Sequence, residues 1–244
     1  MDDLIYGRHT VLEALRAGRA FNRLLLSGDP HDPPLAAVID LTRQRGIPYR
    51  LTDRRSLDAV CRAPHQGVVG FVAAHAYLAF EDLLGRVSGS GRAPLLLVLD
   101  GIQDPHNLGA ILRTAAATGV DGVVLPRHRA VGLTGAVAKA SAGAVERVPV
   151  AQVANLVSVL ETLKADRFWT VGLDPDLPRL YTDVDYRTPT VLVIGGEARG
   201  LRPLVRRHCD HLVRIPMAAG AESLNASVVA ALVLYEAFRQ RGYS

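Results

Sequence analysis

Two cysteines in 244 residues leave little room for sulfur chemistry. Cys61 and Cys209 have no CxxC partner, which excludes a disulfide framework and a thiolate metal site and leaves both as ordinary buried thiols. No metal is expected. Lysine is almost missing as well: Lys139 and Lys164 are the only two, so the basic charge rests on arginine. Arginine suits bidentate contacts to phosphate, although a preference for arginine codons gives the same count. A net charge of +4 permits an acidic partner such as nucleic acid without demanding one. The longest apolar run, around Val228 to Tyr235, is too short to span a bilayer, and Met1-Asp2-Asp3 is acidic where a signal peptide is basic. A cytoplasmic location is the expectation. No internal repeat is present, and neither a P-loop nor a GxGxxG dinucleotide fingerprint occurs.

What the chain has is apolar residues, 49% of the total, enough for a substantial core. An N-terminal unit, residues 1–75, reads as alternating short helices and strands: helix Arg8 to Ala17, strand Arg23 to Leu26, helix Pro34 to Arg45, then strands Tyr49 to Leu51 and Val68 to Ala73. It carries 10 arginines against 8 acidic residues. Residues 76–93 lose clear periodicity and include Ser88 to Arg92 (SGSGR), which marks a linker. From residue 94 to 244 apolar runs alternate with helical patterns, the signature of a mostly parallel sheet covered on both faces, an α/β domain.

Three blocks in that second domain carry polar residues where strand ends meet helix starts, the place where open α/β sheets bind ligands. In LDGIQDPHNLGAILRTAAATG (Leu99 to Gly119), Asn107 precedes a helical pattern and is either its N-cap or a functional amide. Gly109 lies four residues before Arg113 on the same face and leaves the guanidinium a clear path toward the loop. Arg113 is otherwise a solvated surface residue. In VLVIGGEARGLRP (Val191 to Pro203) the glycines suit either close approach of a ligand to the backbone or a tight turn, and Glu197 is a loop carboxylate near a helix start. In RIPMAAGAESLNASVVAALVLYEAF (Arg214 to Phe238), Ser223 and Asn225 stand at a helix start, and the helix that follows is apolar enough to be core or subunit interface.

In order and spacing these blocks resemble the three signature motifs of the SpoU (TrmH) family of RNA ribose 2′-O-methyltransferases, of the SPOUT class. The chain as a whole resembles members that methylate a guanosine of the large-subunit (23S) ribosomal RNA. The resemblance implies a parallel-sheet domain whose C-terminal segment is threaded into a deep trefoil knot, which connection rules alone argue against. It also implies S-adenosylmethionine as cofactor, in a pocket of Gly195, Gly196, Glu197, Gly200, Ile215, Met217, Leu224 and Asn225. Arg113 then stands at the ribose hydroxyl, either taking its proton or stabilising the alkoxide, while Asn107, Glu197, Ser223 and Asn225 orient ribose and phosphate. The N-terminal unit resembles the family's ribosomal-protein-like RNA-binding domain through Tyr6 to Leu15 (YGRHTVLEAL) and His65 to Gly70 (HQGVVG). A homodimer that completes cofactor pocket and RNA surface follows from the same likeness. Two other readings remain: the same chemistry on transfer RNA or on a ribosomal nucleotide linked to antibiotic resistance, and a non-catalytic RNA-binding assembly factor.

Overall fold

A computed structural model describes residues 4–73, 75–88, 92–197, 199–219 and 223–242. It separates into two compact units, the first running to Ala76 and including Gly132–Ala136, the second made of Tyr77–Val131 and the chain from Val137 onward.

The first unit contains β1 (Leu4–Tyr6), α1 (Arg8–Arg16), β2 (Phe21–Leu26), α2 (Pro33–Gln44), β3 (Tyr49–Leu51), α3 (Arg54–Val60) and β4 (Val68–Val72). Its sheet has the order β1-β4-β2-β3, with β2 and β3 parallel and the other pairs antiparallel. Val11 and Leu15 of α1 and Leu35 and Val38 of α2 bury one face against Phe21, Leu24 and Leu26. Strict alternation would put Phe21 and Leu24 on opposite faces. A register shift between Phe21 and Arg23 brings both inward and turns Arg23 to the face of Phe71. The other face buries Leu57 and Cys61 against Val69 and Phe71. β1 and α3, at 3 and 7 residues, are too short for periodicity to reveal.

The two pieces that carried the N-terminal resemblance meet. Gly7 N–H donates to the Val68 carbonyl (3.0 Å), and Arg8 Nε donates to the Gln66 carbonyl (2.9 Å). His65 is buried and structural: Nδ1 accepts from Gly67 N–H (3.1 Å) while Nε2 meets Asp58 at 2.8 Å.

The second unit begins with α4 (Phe80–Ser88), inside the stretch expected to be a linker. Leu83 and Val87 are buried in the main core and Leu78 bridges Ala151, so residues 77–88 belong to the domain. Burying each of these side chains contributes about 1.5–3 kcal/mol, far more than a free linker would leave unused. Part of the expected SGSGR linker, residues 89–91, lies outside the described residues.

Next come β5 (Leu95–Asp100), α5 (Pro105–Ala117), β6 (Gly122–Pro126), α6 (Gly135–Ala140, in this unit from Val137), β7 (Val150–Val153) and α7 (Leu156–Ala165). They are followed by β8 (Trp169–Leu173), β9 (Thr190–Gly195), α8 (Pro203–Arg207), β10 (His211–Val213) and α9 (Ala226–Gln240). The sheet order is β10-β8-β9-β5-β6-β7 and every pair is parallel. Leu96 and Val98 of β5 face the core shared with α4, α7 and α8. Leu95, Leu97 and Leu99 are equally buried and by alternation point the other way. α5 and α9 pack on one another. No described helix is long and apolar enough to cross a membrane.

Candidate active site

β5 is apolar until its last residue, Asp100, whose side chain is fully buried. Burial of a carboxylate is tolerable only with hydrogen-bonded partners. Asp100 has two from one residue: Arg202 donates its backbone N–H (2.8 Å) and its Nε (2.5 Å). This latch ties the end of β5 to the chain just after the GGEARG turn. The turn itself is packed on β5's exit: Gly196 N–H donates to the Asp100 carbonyl (2.9 Å), and a Cβ on Gly196 would sit 2.5 Å from the Gly101 carbonyl oxygen. A Cβ on Gly195 would lie 2.2 Å from Gly200. Both glycines are thus required by the chain's own backbone crossing, the tight-turn alternative of the sequence reading, and that crossing holds Glu197 at the end of β9.

α5 starts earlier than the pattern suggested. Asp104 is its N-cap, accepting from His106 N–H (3.1 Å), and Pro105 occupies the favoured first position. Asn107 is therefore not the cap, which corrects that alternative. Its amide is free for another role: Nδ2 donates to Glu197 Oε1 (2.5 Å), and Oδ1 accepts from Asn225 Nδ2 (3.0 Å). Asn225 Nδ2 also donates to Glu197 Oε1. At the same time Asn225 Oδ1 caps α9, accepting from Ser227 N–H (2.9 Å) and Ser227 Oγ (2.6 Å). Ser223, placed by the sequence at the same helix start, lies two residues before this cap. One residue from each of the three blocks thus meets at a single carboxylate oxygen.

Glu197 also lines a cavity of about 140 Å³ beyond the carboxyl ends of β8, β9 and β10. Of the expected cofactor residues, Gly195, Gly196, Glu197, Gly200, Ile215, Met217 and Leu224 line it, and Ser223 joins them. Asn225 does not line it and touches it only through Glu197. Leu173, Asp174, Pro175, Ile194, Val213, Arg214, Ala226 and Val229 complete the wall. Leu173, Asp174, Pro175 and Val213 needed the strand order to be found: β8 and β10 flank one another, so their exits converge, and the rule that ligands bind past strand carboxyl ends then applies. Arg206 Nε donates to the Asp174 carboxylate, and that bond raises the guanidinium above its usual range.

Arg113 is exposed and lies outside the cavity wall. The path over Gly109 is also filled, since a Cβ there would meet Ala140 of α6 at 2.4 Å. Gly109 is small because α5 and α6 cross at that point, which corrects the reading of a channel cleared for Arg113. No described residue makes a hydrogen bond or ion pair with Arg113.

Known proteins resemble this chain along its length. Residues 94–235 match the model of the SpoU rRNA Methylase family. This chain belongs to the SpoU (TrmH) family of RNA methyltransferases. Residues 4–78 of the SpoU chain match a second model, RNA 2′-O ribose methyltransferase substrate binding. A Bacillus subtilis protein named as a TrmH-family tRNA/rRNA methyltransferase, YacO, is 42% identical over 239 residues, covering 98% of this chain and 96% of its own length. Among solved structures, the SpoU methyltransferase AviRb from Streptomyces viridochromogenes in complex with AdoMet superposes with a TM-score of 0.63 at 28% identity, covering 100% of this chain and 92% of that one. An AdoMet-bound rRNA methyltransferase from Sinorhizobium meliloti gives 0.59 at 27% identity, with coverage of 97% and 86%.

Proposed function

We propose that this SpoU chain transfers a methyl group from S-adenosylmethionine to the ribose 2′-hydroxyl of a guanosine in 23S ribosomal RNA, acting as a cytoplasmic homodimer. The observation that carries the reading is the shared Glu197 Oε1, which binds Asn107 and Asn225 while the same residue lines the cavity. The likeness of the first unit to ribosomal-protein-like RNA-binding domains, and a knotted C-terminal segment, belong to the same proposal.

The cavity wall suits the cofactor. Leu173, Ile194, Val213, Ile215, Leu224 and Val229 offer an apolar surface to a planar base, and Glu197 favours a cation. Bound there, S-adenosylmethionine supplies an electrophilic methyl on a sulfonium, so the reaction needs no metal. The chain's task is alignment and charge. Asn107 and Asn225 fix the Glu197 carboxylate, and Ser223 lines the wall beside it. Together these orient ribose and phosphate.

Arg113 stands outside its own chain's cavity, and its proposed place is the cleft of a second subunit. A guanidinium seldom gives up a proton, so it stabilises the alkoxide as the 2′-oxygen attacks, and the proton leaves to water or phosphate. Support for a dimer comes from α9, where Val228, Leu232 and Tyr235 are 44%, 39% and 51% exposed at helical spacing.

Incubating the protein with ribosomal RNA and isotopically labelled cofactor, then locating the label by mass spectrometry, tests the reading. A 2′-O-methylguanosine in 23S ribosomal RNA is the expected product. Label in transfer RNA or on another base redirects the substrate, and no label together with no cofactor binding by calorimetry overturns the enzyme reading.

A further inference from the structure

Charge is distributed unevenly over the first unit. Where β1, β2 and β3 finish and β4 starts, acids stand among the bases: Arg8 pairs with Asp32 at 2.5 Å, and Asp58, which meets His65 at 2.8 Å, and the cap Asp53 lie on and just before α3 with Arg54 and Arg55, neither of which forms a described ion pair. At the other end, the C-termini of α1 and α2 and the starts of β2 and β3 gather Arg19, Arg23, Arg43, Arg45 and Arg50, all exposed. None of the five forms an ion pair with a carboxylate among the described residues. The nearby acids are Glu13, already paired with Arg16 at 2.8 Å, and Asp40, one turn before Arg43. Hydrogen bonds from Ser56 hold the Asp53 carboxyl below its usual range, and the Arg50 guanidinium lowers it further by a smaller amount.

Two of these guanidiniums are held in place by aromatic rings. Arg23 lies over Phe71, 4.2 Å from the ring centroid, and Arg43 lies over Tyr49 at 5.8 Å while its Nε donates to the Tyr49 hydroxyl (2.9 Å). The register shift before Arg23 sets its side chain on the Phe71 face. Arg50 pairs with Leu25, two residues on, so both arginines share that face on adjacent strands. Arg45 reaches the Arg16 carbonyl at the end of α1, where the helix dipole favours a cation. Like charges gathered at one end of a sheet repel one another, and none of these five has a described ion pair. A ligand with charges repeated along its length would offset that repulsion.

We propose that this arginine end of the first unit, centred on Arg19, Arg23, Arg43, Arg45 and Arg50, takes the phosphate backbone of the substrate RNA. The proposal rests on the RNA-methyltransferase reading and adds to it which surface of the substrate unit carries the electrostatic part of binding. The guanidiniums lie on both sides of the sheet end, which suits a strand wrapping the end better than a single small anion. Planar forks pre-set by Phe71 and Tyr49 suit bidentate contact to phosphate oxygens.

The test is the affinity of the full chain for 23S ribosomal RNA transcribed in vitro, measured by filter binding across a series of KCl concentrations. Every phosphate no longer neutralised by the protein lowers the slope of log affinity against log salt by about 0.7–0.9. The double variant Arg19→Gln/Arg50→Gln removes two charges that form no ion pair and should lower the slope by about 1.5 and weaken binding by about tenfold or more near 0.1 M salt. Arg23→Lys/Arg43→Lys keeps the charge and should keep the slope, losing affinity only through geometry. Arg54→Gln/Arg55→Gln, at the opposite end, should change neither. Cofactor binding by calorimetry should be unchanged in all three. Normal slope and affinity in Arg19→Gln/Arg50→Gln, with wild type binding and methylating RNA, overturn this surface alone. A wild-type chain that neither binds nor methylates RNA overturns the functional reading beneath it. Loss of binding to an acidic protein partner with RNA binding intact would reassign the patch and overturn the proposal.

Discussion

Asp100 and Arg202, 102 residues apart, close the active-site turn: a fully buried carboxylate takes both the backbone N–H and the guanidinium of one residue. Removing either partner has unequal cost. Arg202→Ala keeps the backbone bond but leaves a buried charge without its counterion, whereas Asp100→Asn removes that charge and keeps one acceptor. Arg202 is 42% exposed, so water offsets part of its loss. The expected destabilisation is on the order of 2 kcal/mol for Arg202→Ala and about 1 kcal/mol for Asp100→Asn, read from urea unfolding midpoints. Equal midpoints for wild type and Arg202→Ala would remove the latch from the account of this turn.

Much of this site was legible in the chain because motifs fix what lies beside a residue in sequence. Gly195, Gly196, Glu197, Ile215, Met217 and Leu224, which the family resemblance grouped, line one cavity. What a linear reading lacked was the neighbour across the sheet. Leu173 and Val213 end strands that pair with each other, and their places in the wall depend on the order β10-β8-β9. The latch from Asp100 to Arg202 has only a faint signal, a carboxylate closing a strand of leucines and valine. α4 was hidden by the glycine and serine that follow it, although Leu83 and Val87 carry a helical spacing. Gly109 misled because an absent side chain looks the same whether it makes room for a guanidinium or for Ala140.

Asn225 carries two duties that substitution can separate. Its Oδ1 caps α9 and its Nδ2 serves Glu197 and Asn107. Serine is as good a cap as asparagine but has no amide to reach the carboxylate. Asn225→Ser should therefore melt within a few tenths of a kcal/mol of wild type while methyl transfer falls by tenfold or more, on the order of one lost charged hydrogen bond. Asn225→Ala should lose about 1 kcal/mol of stability in addition. If Asn225→Ser methylates RNA at the wild-type rate, the amide link to Glu197 has no part in catalysis.

Arg113 is exposed and has no described partner, so its removal should be nearly invisible to folding. The expectation for Arg113→Ala is a stability change within about 0.5 kcal/mol and intact cofactor binding, with methylation abolished. Thermal melts, calorimetry and labelled-cofactor turnover on ribosomal RNA check the three parts. Retained turnover would take Arg113 out of the mechanism.

Cys209 supplies a pH test. Burial pushes its thiol up to about 12, with the nearby Asp210 carboxylate adding to the effect. The thiolate is the reactive form, so native Cys209 should react with Ellman's reagent far more slowly at pH 8 than an ordinary thiol, and faster in urea. Once pH exceeds the ordinary thiol value of 9.0, the unfolded chain releases a proton that the folded chain keeps, and stability falls as pH rises. Cys209→Ala should lessen that alkaline loss in denaturation curves recorded at pH 8 and pH 10.

α9 buries Ala230, Val233, Leu234 and Ala237 and leaves Val228, Leu232 and Tyr235 facing outward. This exposed apolar stripe is the proposed seat of a second copy, which the proposed placement of Arg113 needs. Leu232 is the middle of the stripe, so Leu232→Asp places a charge where the dimer would bury it, at a cost of several kcal/mol per pair. Light scattering should show a dimer for wild type at micromolar concentration and a monomer for the variant, with the melt of the isolated fold little changed because Leu232 is already 39% exposed. Methylation should fall along with the dimer. A wild-type protein that is monomeric yet active would require Arg113 to reach the cavity of its own chain, which the packing of Gly109 against Ala140 opposes.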